Sequence, residues 1–262
     1  MDLGLKNKVA IIGGSSKGLG RGCAVRLAQE GVNVVICSND QPSLEETTKF
    51  ISGLGVEVLP LLVDMSSRED NERIVYETIR QFGKIDILVN NSGGPPAGTF
   101  FDFDDNDWAK AYNSVLMYVI RLCRSVIPHM KKNKWGRIIN STSLSVKEPA
   151  ESLILSNVFR SGVVSMAKSL SRDLIKSNIT INNICPGAFK TDRAIELMKK
   201  AAEQKKTTIT EIEREAVENM PLGRYQRPEE FGDLVAFLCS ELAGGITGTT
   251  IQIDGGIQKY LF

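Results

Sequence analysis

Short apolar runs alternate with longer amphipathic segments along almost the whole chain, and this alternation limits the folds open to its 262 residues. Runs such as VAII (9–12), VVIC (34–37) and IDILVN (85–90) have the length of single strands and contain few polar residues. Such runs are typical of strands buried on both faces, as in a parallel sheet covered by helices. Further runs of this kind are VEVLPLLV (56–63), RIIN (137–140), ITINNI (179–184) and TIQI (250–253).

The segments between these runs have the apolar spacing of helices. Strand and helix in alternation indicate right-handed βαβ units. We therefore predict an α/β protein, a single-domain doubly wound parallel sheet (Rossmann-like) with helices on both faces. Ser66 followed by Glu69 predicts a capping box at the start of the third helix. The predicted helices cover residues 18–30, 43–53, 67–82, 104–131, 152–177 and 228–241.

One charged helical stretch, RAIELMKKAAEQKKTTITEIEREAVEN (193–219), interrupts the alternation. It has two interpretations: a pair of solvated surface helices, or a lid-like insertion at about 190–220 that covers a pocket. Its position after the carboxyl end of a strand is where ligands and lids lie in such sheets.

Composition bears on the partners, the location and the metal content expected of the protein. Lys and Arg number 32 against 31 Asp and Glu, and this balance gives no reason to expect nucleic acid or an anionic membrane as a partner. No apolar stretch has the length of a membrane span or the pattern of a signal peptide, so we expect a cytoplasmic protein. Five scattered cysteines in apolar runs and a single histidine indicate buried, reduced thiols and no metal site.

A glycine-rich turn, GGSSKGLG (13–20), joins the first strand to the first helix. Gly14, Gly18 and Gly20 would let the chain turn tightly and let backbone N–H groups approach a pyrophosphate at the positive end of the helix. A glycine motif alone is weak evidence, since any tight strand-to-helix turn favours glycine. Its place in the first βα turn predicts dinucleotide binding.

The spacing Gly-x-x-x-Gly-x-Gly resembles that of the short-chain dehydrogenase/reductase family, and further family motifs follow in order. Asp64 in LLVDMSS resembles the acid that holds the adenine, and NNSG (90–93) resembles NNAG. Pro186 and Gly187 with Thr191 resemble the nicotinamide-side motif, and PLGRYQRPEE and IDGG resemble the C-terminal section. The resemblance runs from about residue 6 to 256 and is strongest to bacterial 3-oxoacyl-[acyl-carrier-protein] reductases.

This resemblance implies a cofactor site. An acid at the end of the second strand would bind the ribose of NAD, whereas basic groups favour the 2′-phosphate of NADP. Ser38 occupies the place of that acid and Lys17 is basic, which favours NADP over NAD. The predicted cofactor-binding residues are Gly14, Ser16, Lys17, Gly18, Leu19, Gly20, Ser38, Asn39, Asp64, Met65, Asn90, Ser92, Gly93, Arg160, Pro186, Gly187 and Thr191.

The resemblance also implies an oxidoreductase that acts on a carbonyl or alcohol, but the active-site residues depart from the family pattern. In the family a tyrosine passes the proton, a lysine lowers its pKa, a serine orients the substrate and an asparagine supports a water relay. Ser143 stands at the serine position, Ser156 at the tyrosine position, Arg160 at the lysine position and Val115 at the asparagine position. Loss of a positioned general acid typically costs about 10²- to 10⁴-fold in rate.

Three interpretations of this departure stay open. A water could relay a proton from Ser143 or Arg160, or a charged group of the following loop (Lys147, Glu148 or Glu151) could replace the tyrosine. Alternatively, the protein is a non-catalytic dinucleotide-binding sensor, scaffold or partner subunit. By resemblance the apolar faces of the helices at 104–131 and 152–177 form a homodimer or homotetramer interface, although ordinary packing on the sheet also explains them.

Overall fold

Residues 2–259 and 261 are described by the structure, a computed structural model. They form a seven-stranded, wholly parallel sheet in the order β3-β2-β1-β4-β5-β6-β7. The order reverses between β1 and β4, and this is the arrangement of a doubly wound sheet. The fold prediction is confirmed. The strands are β1 (Val9–Ile12), β2 (Asn33–Ser38), β3 (Val58–Leu62), β4 (Ile87–Asn90), β5 (Gly136–Ser141), β6 (Ile179–Pro186) and β7 (Thr250–Ile253).

Helices cover both faces of the sheet. Helices α1, α2 and α9 contribute side chains to the hydrophobic core on one face, and α3, α5 and α6 contribute to the core on the other. The alternate residues of β1 divide between these cores: Ile12 faces the first and Ile11 the second, as the two-residue period of a strand requires. The helices are α1 (Gly18–Gln29), α2 (Gln41–Ser52), α3 (Arg68–Phe82), α4 (Asp105–Ala111), α5 (Tyr118–Asn133), α6 (Ile154–Leu174), α7 (Asp192–Lys205), α8 (Ile209–Glu218) and α9 (Pro228–Cys239).

Two of the strands are not buried as predicted. The central strands are buried along almost their whole length, but β3 and β7 are only partly buried, and Leu62 is half exposed. These two are the edge strands, which have a neighbour on one side only. The edge position also explains how β3 contains Pro60, because a residue without a backbone N–H is tolerated there.

Two helix predictions differ from the structure in detail. The third helix is capped by Ser67, whose side chain accepts a hydrogen bond from the Asp70 backbone N–H, so the predicted capping box at Ser66 and Glu69 is wrong by one residue. The Ser66 hydroxyl donates to the Asp64 carboxylate instead. The predicted helix 104–131 is interrupted by a π-helical turn at Tyr112–Met117, which rotates the face of α5 relative to α4.

The charged stretch after β6 forms two helices, α7 and α8. Thr191 and Thr208 cap their N-termini, each accepting a hydrogen bond from a backbone N–H. Met198, Ala202 and Ile212 pack together in a small separate core. None of the helices among residues 2–259 and 261 is long and apolar enough to cross a membrane.

Candidate functional site

The glycine-rich turn closes tightly between β1 and α1. Gly14 and Gly18 both have φ of +53°, in the left-handed region that glycine adopts without strain. A Cβ on Gly20 would lie 2.2 Å from the carbonyl oxygen of Gly14, so backbone packs directly on backbone. Lys17 is the N-cap of α1 and makes no side-chain capping hydrogen bond. The first N–H groups of α1 are therefore open to an anion, and Leu19 lies in this first turn.

Asn91 holds this turn in place and was missed by the sequence analysis. Its side-chain amide donates to the carbonyl oxygens of Gly13 and Gly14, at 3.0 and 3.3 Å. The signal for it was present, because Asn91 is the second residue of the NNSG motif. The first residue, Asn90, is buried and donates to Asn140 at 2.8 Å, so its side chain joins β4 to β5.

The predicted adenosine residues come together beside the turn. The Ser38 hydroxyl, at the end of β2, lies 2.7 Å from the Ser16 hydroxyl. The Asp64 carboxylate is exposed and accepts hydrogen bonds from the backbone N–H and the hydroxyl of Ser66, both at 2.8 Å. One depression is lined by Gly14, Ser38, Asn39, Val63, Asp64, Met65, Ser66, Ser92, Gly93, Gly94 and Ser114.

Lys17 is paired with a carboxylate that the sequence analysis did not consider. Its ammonium lies 2.8 Å from the carboxylate of Asp40, and both side chains are partly exposed. The hydrogen bond to Asp40 raises the pKa of Lys17, and the same bond lowers the pKa of Asp40. A ribose phosphate would have to compete with Asp40 for this lysine.

The predicted nicotinamide-side motif (Pro186, Gly187 and Thr191) connects the sheet to the charged helices. Gly187 follows β6, and a Cβ there would lie 2.6 Å from the Cα of Asp254, so this close approach requires glycine. Thr191 begins α7 and its methyl group lies beside Gly18, since a Cβ on Gly18 would be 3.4 Å from it. Pro186, at the end of β6, pairs with Ile253 of β7. The start of α7 thus lies against the glycine-rich turn.

The predicted catalytic serines lie in one loop and on one helix after β5. Ser143 caps a short 3-10 turn, and its hydroxyl accepts a hydrogen bond from the Ser145 backbone N–H at 3.1 Å. Ser156 is buried on α6, and its hydroxyl lies 3.4 Å from that of Ser145. The structure therefore places Ser156 against Ser145.

Arg160 lies one turn further along α6 and reaches back to the end of β5. Its Nη1 donates to the carbonyl oxygens of Ser141 and Thr142, at 2.8 and 3.0 Å. Burial lowers the pKa of Arg160, and the charge of Arg193 lowers it further. Guanidinium groups keep their proton in proteins even so. Arg160 is thus a fixed positive charge and hydrogen-bond donor near the predicted site.

Tyr118 is a buried phenol that sequence spacing did not identify. It lies at the start of α5, beside Ser92 and Arg160. Burial raises its pKa, while the hydrogen bond with Ser92 and the charge of Arg160 act in the opposite direction. Val115, at the predicted asparagine position, is buried in the π-helical turn.

The three loop groups considered as substitutes differ in their surroundings. Lys147 is half-buried, donates to the side chain of Gln252 at 3.3 Å and lies near the thiol of Cys185. Glu148 and Glu151 are exposed. All five cysteines are buried and free of disulfide bonds, as predicted.

Comparisons with known proteins agree with this geometry. A family model described as Enoyl-(Acyl carrier protein) reductase matches residues 14–258. Dehydrogenase/reductase SDR family member 4 of Bos taurus is 31% identical over 258 residues, which are 98% of this chain and 89% of that protein. A 3-oxoacyl-[acyl-carrier-protein] reductase of Thermotoga maritima is 29% identical over 97% of this chain and 98% of its own length.

Among solved structures, the L-sorbose reductase of Gluconobacter frateurii, complexed with NADPH and L-sorbose, is 31% identical. It superimposes with a TM-score of 0.96 and covers 100% of both chains. The family model spans nearly the whole chain, and the relatives and the solved structure match 97% or more of the chain. The chain therefore belongs to the short-chain dehydrogenase/reductase family of oxidoreductases.

Proposed function

We propose that the protein is an NADP-dependent oxidoreductase that reduces a small-molecule carbonyl compound, or oxidises the corresponding alcohol, without the usual tyrosine and lysine. The observation that carries the cofactor assignment is the turn between β1 and α1. Its backbone closes on itself at Gly20, and it leaves the first N–H groups of α1 without a capping side chain. Such a helix terminus binds a diphosphate group.

The residues around this turn fit NADP better than NAD. Ser38, the last residue of β2, stands where an acid would bind the ribose of NAD, and its hydroxyl lies 2.7 Å from that of Ser16. Lys17 supplies a positive charge near the expected 2′-phosphate position, although Asp40 competes for it. NADPH in the related L-sorbose reductase structure supports the same choice. The residues proposed to hold the cofactor are the predicted set together with Asn91, which positions the turn.

We propose further that Ser156 and Arg160 stand at the positions of the family's tyrosine and lysine, and that Arg160 and Ser143 act on the substrate. When bound, the reduced nicotinamide supplies a hydride to the carbonyl carbon. One proton from solvent completes the reaction, so a ketone, NADPH and a proton give an alcohol and NADP⁺. Ser143 would donate a hydrogen bond to the substrate oxygen. Arg160 would stabilise the negative charge that develops on that oxygen, because its guanidinium is fixed by two carbonyl groups.

A water-mediated proton path follows from these side chains. Arg160 holds its proton too strongly to act as a general acid. Ser156 lies against Ser145, and a serine side chain is about 4 Å shorter than tyrosine. A water between Ser143 and Arg160 is therefore the proposed proton donor. Of the three loop groups, Lys147 is half-buried and lies near the thiol of Cys185, to which Arg160 is also close.

A non-catalytic sensor or scaffold is the second candidate. It is favoured by the contact between the hydroxyls of Ser156 and Ser145, which removes Ser156 from direct chemistry. In this case the protein binds a dinucleotide without turnover, and a partner protein responds to whether the dinucleotide is bound.

Cofactor binding and turnover distinguish the two candidates. NADPH and NADH are titrated by fluorescence, and carbonyl compounds and alcohols are then screened by nicotinamide absorbance. We expect tighter binding of NADPH and a turnover that Ser143→Ala abolishes, while the exposed control Ser169→Ala leaves it unchanged. Tight NADPH binding without turnover of any compound would instead support the sensor. Absence of binding of either dinucleotide at millimolar concentration would refute both.

We also propose that α7 and α8 act as a lid and that the chain assembles as a homodimer or homotetramer. Thr191 already joins the start of α7 to the glycine-rich turn. Phe100, Phe101 and Val158 leave apolar surface exposed beside α4 and on α6, where a second copy would cover it. NADPH is expected to protect Lys199 and Lys200 from trypsin, and analytical ultracentrifugation would detect the assembly.

A further inference from the structure

We propose that Arg160 and Arg193 form a binding site for an anionic oxygen group of the substrate, a carboxylate or a phosphate. This inference rests on the proposed function and narrows it to carbonyl compounds that carry such a group. The two arginines come from different elements, one from α6 and one from the first turn of α7.

Both guanidinium groups converge on the backbone of Gly94. A Cβ placed there would lie 3.5 Å from Nη1 of Arg193 and 3.8 Å from Nη2 of Arg160. The absence of a side chain at Gly94 leaves room between the two cations. An oxygen group of a ligand can use this space to accept hydrogen bonds from both arginines.

No carboxylate neutralises this pair within residues 2–259 and 261. The Nη1 of Arg160 donates to two backbone carbonyl groups, and its Nη2 is directed toward Gly94. The side chain of Arg193 makes neither a hydrogen bond nor an ion pair with any residue of the described part. Arg160 is half-buried and Arg193 is exposed, so solvent screens part of the repulsion between them, and an anion that bonds to both guanidinium groups would relieve the rest.

The neighbouring charges do not supply that anion. The groups that act on Arg160 are Arg193, the phenol of Tyr118 and the thiol of Cys185. Burial raises the pKa of the phenol and the pKa of the thiol. Asp192 and Glu196 of α7 act on Lys17, and no carboxylate is among the groups that act on Arg160. Both thiol and phenol are therefore neutral near pH 7, and the pocket keeps its positive charge.

The proposed anion site lies close to Ser143, where the substrate carbonyl is proposed to bind. The thiol of Cys185 lies 3.3 Å from the hydroxyl of Thr142 and beside the backbone of Ser143, and Arg160 is close to the same thiol. The cofactor diphosphate is proposed to bind at the uncapped first turn of α1, which leaves the two arginines available to a substrate anion. Because Arg193 begins the proposed lid, substrate charge would also hold the lid closed.

Matched pairs of compounds test this assignment. Acetoacetate is compared with its methyl ester, and dihydroxyacetone phosphate with dihydroxyacetone, because each pair differs in the anionic group. Direct binding to the protein, with and without NADPH, is measured by calorimetry, and turnover is measured where it occurs. The variants are Arg193→Gln, Arg193→Lys and, as a control, Lys199→Gln. Lys199 is exposed on the same helix but lies on another face.

We expect at least one anionic compound to bind more tightly than its neutral partner. Arg193→Gln should reduce this preference by about 10- to 100-fold, the range for a lost charge-assisted hydrogen bond. Arg193→Lys should restore part of it, and Lys199→Gln should leave it unchanged. The affinity for NADPH should be the same in all four proteins.

Two results would overturn the assignment. Equal binding of charged and neutral partners by the unaltered protein would show that the arginines hold no substrate anion. A loss of NADPH affinity in Arg193→Gln, as large as the loss for the anionic compound, would assign the pair to the cofactor diphosphate. Failure of NADPH itself to bind refutes the proposed function but leaves the direct binding measurement to decide on the anion site.

Discussion

Replacing Gly20 by alanine tests whether the glycine-rich turn is built as the structure shows. Gly20 lies inside α1, and in an ordinary helix glycine to alanine stabilises by about 0.5–1 kcal/mol. Here the new Cβ would lie 2.2 Å from the carbonyl oxygen of Gly14 and 2.8 Å from the side-chain amide of Asn91. Helix propensity and steric contact therefore predict opposite signs.

The steric effect should be the larger one. The atom in the way belongs to the backbone and cannot rotate aside, so the turn and α1 must separate. Overpacking of this kind costs about 1–3 kcal/mol, and a change of 1 kcal/mol moves the melting temperature of a chain of this size by roughly 2–4 °C. Opening the turn also removes N–H groups from the phosphate position, so NADPH affinity should fall with the stability.

The assay is a chemical or thermal unfolding curve together with NADPH titration. Gly245→Ala is the matched control, because a Cβ there has nothing within 4 Å and its backbone is outside the left-handed region. The control should be as stable as the parent or slightly more stable. A Gly20→Ala protein that is more stable than the parent and binds NADPH equally well would refute this account of the turn.

Three further predictions concern charge and thiols. Lys17→Ala should weaken NADPH roughly three- to tenfold relative to NADH, a modest effect because the lysine is half exposed; an unchanged ratio in paired titrations would remove Lys17 from cofactor recognition. The bond to Arg224 lowers the pKa of Glu230 to about 2 from an ordinary value of 4.5, so its contribution to stability is complete above about 4.5 and is lost as pH falls toward 2. Glu230→Gln should accordingly unfold more easily than the parent at pH 7, and the difference should shrink below pH 4.5; a constant difference in urea melts would contradict this. Burial raises the pKa of every cysteine, so all five thiols should resist Ellman's reagent in the folded protein and react on unfolding.

The sheet could be predicted from the sequence because its central strands are uniformly apolar. A strand buried on both faces has apolar residues at consecutive positions, as in VAII and RIIN, whatever its place in the strand order. The edge strands were predicted to be as buried as the others, because an apolar run does not reveal how many neighbours a strand has. Pro60 was the available sign that β3 lies at an edge.

The glycine-rich turn and the residues proposed to hold the cofactor could also be located from the sequence, because they lie in short motifs along the chain. The groups that surround Arg160 could not be found in this way. Tyr118 and Arg193 belong to helices that are far from Arg160 in the sequence, and only the fold brings all three together. The pairing of Lys17 with Asp40 depends in the same way on how α1 and α2 approach each other.

Helix α3 is capped by Ser67 and not by the predicted Ser66, and the reason is local. Two serines stand side by side, and either could cap the helix. The Asp64 carboxylate binds both the N–H and the hydroxyl of Ser66, which leaves Ser67 as the cap.

Oxidation of NADPH by a carbonyl compound is the most direct measurement of the proposed function. The protein is loaded with NADPH, the bound nicotinamide is followed by fluorescence, and keto acids and their esters are added in turn. We expect tight binding of NADPH and its stoichiometric oxidation by at least one keto acid, and we expect Ser143→Ala to be inactive. Bound NADPH that no carbonyl compound oxidises, or a Ser143→Ala variant as fast as the parent, would contradict the proposed function.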